Sequence, residues 1–388
     1  MTVKTKRVIH PINRMGIASV HRRADALLSG HTSHDSLKYF RILKSGTRRF
    51  RVMYSNFCAP ASHKTETDQI LSPITVSFSI PFPSHGQYGA YIRGLFNGAS
   101  SAVIAPGGAV ISDWVYLDVS DLDYIYIKTR CETSSSANNI PIHTNPSTIK
   151  EGYVFDGASS LVPNYNISGY TTNTGVGCYA PDCILCDDDE STLFVGDSIT
   201  AGYGDSGLAI TQPIKGWPAR NALLNNKNAF VYGFPGLTTR DFCIVPDHFQ
   251  YSFSAISKVD YKKAVISFGS NDCYQYSYAD VVAGLTKLVG ILRTLKIEKV
   301  YMCTICPRTT STDSFATVEN QTPVAGFEFG GVRDQVNTWM QTSTLFDGII
   351  DIRSVVESKG VWVPSGTTDG IHPTSEIHSA IASHVTIL

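Results

Sequence analysis

The chain has 388 residues, 43% hydrophobic and 17% charged, which suits about two folded domains and excludes a wholly disordered protein. Lys and Arg number 32 against 33 Asp and Glu, so the net charge of −1 excludes a global basic field for nucleic acid. No run of about 18 apolar residues occurs, and an apolar membrane-spanning helix is excluded with it.

Charge is unevenly spread. The first 51 residues carry twelve Lys and Arg against Asp25 and Asp35. Residues 1–35 read as a basic arm, either a docking element for an acidic partner or a solvated face offsetting the acidic remainder. Residues 14–30 suggest a short helix ending at Gly30. The start has basic residues but no apolar run of signal-peptide length, so synthesis in the cytoplasm is expected, with action on a virion or outside the cell left open.

From 36 to 190 the pattern is short apolar runs broken by Gly, Pro, Ser and Asn: Phe50–Tyr54, Ile74–Ile80, Ala102–Ala105, Trp114–Val119 and Tyr124–Lys128. Many short strands with turn signals predict a β-sandwich-like domain. Trp114, Tyr116, Tyr124 and Tyr126 offer rings that could stack on pyranose faces, although aromatics are also ordinary strand residues. Nine cysteines, an odd number, favour a reducing compartment. Cys183/Cys186 and Cys303/Cys306 have metal-knuckle spacing, but they lie far apart and inside apolar runs. Buried thiols are the expectation, with no metal and no cofactor.

From 191 to 388 strands alternate with helices. Strands are expected at Thr192–Val195, Ala229–Tyr232, Ala264–Phe268, Val300–Thr304 and Gly348–Ile352, with helices at Tyr278–Leu295 and around Val332–Gln341. This alternation predicts an α/β domain with a parallel sheet, whose functional loops lie beyond the carboxyl ends of the strands.

Those loops carry polar residues in order. The first strand runs into Gly196-Asp197-Ser198, and a serine leaving a buried strand through such a turn presents its hydroxyl at the sheet edge. Gly236 follows the second strand in a Gly-rich turn whose N–H could face an oxyanion, and Asn271-Asp272 follow the third. Near the end, Asp369 stands three residues before His372, a spacing that lets it fix the imidazole tautomer. Each alone could be a turn or cap residue; four in register with the strands point to nucleophilic catalysis. A second Gly-Asp-Ser at 204–206 sits in the wrong architecture for a chymotrypsin-like protease, and Ser206 reads as a turn residue.

These four blocks resemble the SGNH (GDSL-type) hydrolase family over about residues 191–388, with Ile199 where the name-giving motif has Leu. The β-rich half is similar to regions that precede such domains in some bacterial and phage esterases. The resemblance implies a flavodoxin-like catalytic domain. It implies a Ser198–His372–Asp369 triad and an oxyanion hole from the Ser198 and Gly236 N–H groups and the Asn271 amide, with no cofactor. An acylated, most simply acetylated, carbohydrate is the expected substrate. The alternatives are a short-chain lipase-like or thioester hydrolase, and a glycan-binding or virion attachment protein with a vestigial hydrolase domain.

Overall fold

The apolar runs after residue 190 assemble into one parallel sheet. The computed structural model describes residues 15–17, 20–22, 26–41, 49–58, 66, 72–81, 91–116, 124–142, 152–155, 179–187, 191–206, 215–244 and 249–387. Strands Ser191–Gly196, Ala229–Gly233, Tyr261–Ser267, Lys299–Cys303 and Gly348–Ile350 lie in the order second, first, third, fourth, fifth, all parallel. This is the flavodoxin-like order. Alternation along each strand divides the side chains between two cores. Val195, Tyr232, Ile266 and Met302 face helices Gln250–Ile256, Tyr278–Thr294 and Val332–Thr342. Phe194, Val231, Val265 and Ile350 face helices Trp217–Leu224 and Ser375–His384. Burial on both faces explains why these strands read as unbroken apolar runs.

The strand-rich region forms two antiparallel sheets. Ser33–Arg41, Tyr124–Thr133 and Ile74–Pro81 lie side by side in one, and Arg49–Ser55 and Cys183–Asp187 are paired in the other. Val52, Tyr54, Ile184 and Cys186 close a sandwich core with Phe40, Val76, Phe78, Ile125 and Ile127. The intervening side chains Met53, Cys183 and Leu185 instead join the core of the parallel sheet. The second sheet is therefore a middle layer, apolar on both faces. It couples the sandwich to the parallel-sheet domain by shared burial. Glu66 accepts bonds from the Ser252 N–H (2.9 Å) and hydroxyl, adding a buried polar tie between the two regions.

Among the described residues of the span 14–30 the expected helix is not formed. Met15–Ile17 pairs with Cys183–Asp187, Val20–Arg22 adds a sixth, parallel strand beside Ala229–Gly233, and Ala26–Leu28 pairs with Ile140–Ile142. Sheet edges elsewhere in the chain supply backbone partners that a local periodicity cannot reveal, and pairing overrides propensity. Part of the basic arm is thus built into both the sandwich and the parallel sheet. Lys4, Lys6, Arg7, Arg14, Arg23, Lys44, Arg48, Cys178 and Gly207 lie outside the described residues. Among the described residues no helix is long and apolar enough to cross a membrane.

Candidate active site

The three central strands end level with one another: Gly196 is in register with Gly233 on one side and Ser267 on the other. Their outgoing loops emerge together where the strand order reverses, the usual place for a site in an open α/β sheet. Gly196 is required there, because a Cβ would sit 2.0 Å from Thr200 Oγ1 and 2.5 Å from the Ser267 carbonyl oxygen. Asp197 then caps the short helix Ser198–Ala201, its carboxylate accepting from the Ile199 N–H at 3.0 Å. Burial pushes the Asp197 carboxyl up to about 7, against the N–H groups bonded to it.

Ser198 Oγ lies 2.8 Å from His372 Nε2, and His372 Nδ1 lies 2.6 Å from Asp369 Oδ2. The other Asp369 oxygen accepts from the N–H groups of Ile371 and His372, both at 2.8 Å, and from the Thr367 hydroxyl at 3.2 Å. Burial raises the Asp369 carboxyl, but the His372 backbone N–H, the His372 ring and the Ile371 N–H outweigh it and hold the group below its ordinary value. An ionised Asp369 accepts from Nδ1–H, which leaves Nε2 with its lone pair towards the serine hydroxyl. The tight turn needs Gly370 at φ +79°, and any Cβ there would strike the Thr309 carbonyl oxygen at 1.9 Å.

Gly236 sits at φ +78° in the turn after the second strand, where the Leu237 N–H bonds back to the Phe234 carbonyl at 3.2 Å. Asn271 Nδ2 donates to the Leu237 carbonyl at 3.0 Å, tying the second loop to the third and fixing the amide plane while one amide hydrogen remains. Asp272 is buried and accepts from both the N–H and the hydroxyl of Thr239. Burial lifts its carboxyl to about 6. Ser198, His372 and Asp369 are therefore brought into contact, and Gly236 and Asn271 lie on the two loops flanking the serine.

Several contributors were not legible as such. Asp205, inside the second Gly-Asp-Ser, takes a buried two-bond contact from Arg220 (2.7 and 2.6 Å) and the Gly216 N–H at 2.8 Å. Ser206 shares hydrogen bonds with Ser375, as a turn residue does. His378 accepts from the Trp217 N–H at Nδ1 (3.1 Å) and donates from Nε2 to the Tyr203 carbonyl (2.9 Å), while burial lowers its affinity for a proton. These bonds hold the 202–206 loop against the His372 turn, and the half-exposed Tyr203 ring lies 5.5 Å from the imidazole. Arg308 stacks on Tyr274, three residues beyond Asn271. Spacing alone could not find them, because their partners are more than ten residues away.

Cys183 and Cys186 point to opposite faces of their strand, one into the shared core and one into the sandwich, so they do not converge on an ion. Among the described residues no cluster of His, Cys, Asp and Glu has the arrangement of a metal site. Trp114 carries the guanidinium groups of Arg49 and Arg51 against its ring at 4.3 and 4.5 Å. Tyr116 is exposed and Tyr126 half-buried.

A flavodoxin-like sheet with a serine, a histidine and an aspartate in hydrogen-bonded series at its carboxyl edge defines a hydrolase-type α/β domain. Residues 194–380 match the GDSL-like lipase/acylhydrolase family, and the protein is a hydrolase of the esterase class that carries this domain. No curated protein matches the chain. Among solved structures it is similar to a family two carbohydrate esterase from Clostridium thermocellum in complex with cellohexaose (14% identity, TM-score 0.37, covering 93% of this chain and 92% of that one). It is also similar to a carbohydrate esterase family 2 enzyme with its carbohydrate binding domain from Corynascus thermopiles (14%, TM-score 0.36, 96% of each chain). A third is the lipase/acylhydrolase from Enterococcus faecalis (18%, TM-score 0.35, 50% of this chain and 92% of that one).

Proposed function

We propose that the protein is a serine esterase that removes acyl groups, most simply acetyl, from carbohydrate. The observation that carries the esterase chemistry is the unbroken series Ser198 Oγ–His372 Nε2–Asp369, at 2.8 and 2.6 Å. Ser198 Oγ attacks the ester carbonyl carbon as His372 Nε2 takes its proton, and Asp369 stabilises the imidazolium that forms. The oxyanion is received by the N–H groups of Ser198 and Gly236 and the free amide hydrogen of Asn271. Collapse expels the alcohol, which takes the proton from His372. A water molecule then repeats the attack on the acyl-enzyme and releases the acid.

The carbohydrate assignment is supported by an exposed ring beside the catalytic histidine, Tyr203, 46% exposed and 5.5 Å from the His372 imidazole. Aromatic faces at a solvent-open site suit pyranose rings. The test is hydrolysis of 4-nitrophenyl esters from acetyl to dodecanoyl, with Ser198→Ala as blank, followed by acetylated sugars. A steep, Ser198-dependent preference for acetyl is expected. Preference for long chains would move the assignment to a lipase-like or thioester hydrolase, and Ser198-independent turnover would remove it.

A further inference from the structure

Arg308 stands beside the site with its hydrogen-bonding capacity unspent. Its backbone is pinned on both sides: its carbonyl accepts from the Val324 N–H at 3.1 Å, and the next residue, Thr309, donates to the Gly370 carbonyl at 3.0 Å. Gly370 lies within the turn that carries Asp369 and His372. The side chain reaches across to the helix Ser270–Gln275, where its guanidinium carbon lies 4.0 Å from the centre of the Tyr274 ring. Arg308 therefore bridges the loop of the acid–base pair and the helix of Asn271.

Six other arginines of the fold are spent on carboxylates. Arg220 meets Asp205, Arg333 meets Glu357, Arg293 meets Asp347, Arg353 meets Asp351, Arg130 meets Asp35 and Arg49 meets Asp187. Among the described residues no acceptor bonds the Arg308 guanidinium, and its Nη1 is buried without a partner. Burial lowers its proton affinity, against the pull of Tyr274, Asp369 and Asp197. An unpaired, half-buried guanidinium is costly to hold unless something else bonds to it. Stacking on a ring immobilises the plane, and with Nη1 buried the Nε–Nη2 edge of the half-buried guanidinium is the in-plane fork left for a ligand, a geometry that matches a carboxylate.

We propose that Arg308, held flat on Tyr274, binds an anionic group of the substrate, so that the esterase acts on acylated acidic sugars such as uronic acids in preference to neutral ones. This rests on the esterase reading of Ser198 and adds the substrate class. The carboxylate sits at the edge of the site, held by the fork, while the ester on the same or an adjoining sugar reaches Ser198.

The experiment compares an O-acetylated methyl glucuronide with its carboxyl methyl ester, the same sugar without the charge. A charge-assisted bond of the usual strength corresponds to a ratio of about 10–100 in kcat/KM in favour of the acid, carried mainly by KM. Arg308→Met should collapse that ratio to near one, and Arg308→Lys should keep only part of it. Equal handling of acid and methyl ester by the unaltered enzyme overturns the proposal without any variant. An equal loss on both substrates in Arg308→Met also overturns it and assigns Arg308 to the chemistry. A separate binding measurement, saturation-transfer NMR of glucuronate against methyl glucoside on the Ser198→Ala protein, does not depend on turnover. Selective glucuronate binding that disappears on adding Arg308→Met upholds the anion site even if the esterase reading fails, and its absence rejects the anion site even if hydrolysis is confirmed. Glucose 6-phosphate in the same titration distinguishes a carboxylate site from a phosphate site.

Discussion

The strand-rich region and the hydrolase domain each hold an arginine stacked on an aromatic ring, and the two pairs differ in what else the arginine does. In the strand-rich region Arg49 and Arg51, two residues apart and so on one face of their strand, cover Trp114. Arg49 also gives Asp187 two bonds, Nε at 2.6 Å and Nη2 at 3.1 Å, so its fork is used within the fold. In the hydrolase domain Arg308 covers Tyr274 at 4.0 Å, and its fork has no acceptor among the described residues. The lesson is that a cation on a ring is not itself a recognition element. The ring sets the plane of the guanidinium in both places, and between Arg49 and Arg308 it is the carboxylate, present for one and absent for the other, that separates a group closing the structure from one left for a ligand.

The largest expected effects test the hydrolase side of this contrast. Ser198→Ala should remove activity on 4-nitrophenyl acetate by about 10⁴-fold or more, with only the residual contribution of the oxyanion donors left. Asn271→Ala should lower kcat by about 10²–10³ if it deletes one of the oxyanion donors proposed above. It also frees the Leu237 carbonyl, so its thermal unfolding must be followed beside its rate. If Asn271→Ala keeps its rate, the third loop does not face the reacting carbonyl.

Much of the hydrolase domain was legible. Its five strands fall where the apolar runs placed them, since burial on both faces writes itself as continuous hydrophobicity, and the helix Tyr278–Thr294 shows its buried stripe of Val281, Leu285, Leu288, Val289 and Leu292. The polar residues of the site follow strand ends, a position that sequence marks well. The helix expected over 14–30 gives way to strands because the partners of Met15–Ile17, Val20–Arg22 and Ala26–Leu28, namely Cys183–Asp187, Ala229–Gly233 and Ile140–Ile142, are distant in sequence. Arg308 escaped notice for the related reason that a functional arginine is recognised by the carboxylate it lacks, which no local pattern displays. The ring of Trp114 looked available because nothing in the run Trp114–Val119 reveals that Arg49 and Arg51 cover it.

Two buried carboxylates behind the serine make a prediction about pH. Asp197 and Asp272 are raised from 3.8 to about 7 and about 6, chiefly by burial. Between the unfolded and folded values the native protein holds protons that the unfolded chain has released, so stability falls as pH rises through about 4 to 7 and levels off above it. Asp369 has the opposite sign: its folded value is depressed, so its contribution is present above 3.8 and lost in stronger acid. Asp197→Asn keeps an acceptor for the Ile199 N–H and removes one of the two titrations. Unfolding temperature measured from pH 5 to pH 8 should decline less in this variant than in the unaltered protein, by about 2–4 °C for each 1 kcal/mol recovered. Parallel curves would mean that Asp197 ionises normally.

The smallest expected effect bears on the strand-rich half of the comparison. Trp114→Ala removes the surface on which two guanidinium groups lie, each contact worth about 0.5–1 kcal/mol at a partly exposed site. Arg49 keeps Asp187, so the strand pairing survives and the loss should be a few degrees of unfolding temperature, with kcat/KM on small esters and on acetylated polysaccharide changed less than about twofold. Stability and activity separate two roles for the ring. A tryptophan that closes the sandwich surface lowers the unfolding temperature and leaves KM alone. A rise in KM on the polymer, absent on 4-nitrophenyl acetate, would instead make Trp114 a sugar platform and erase the distinction drawn between the two stacked pairs.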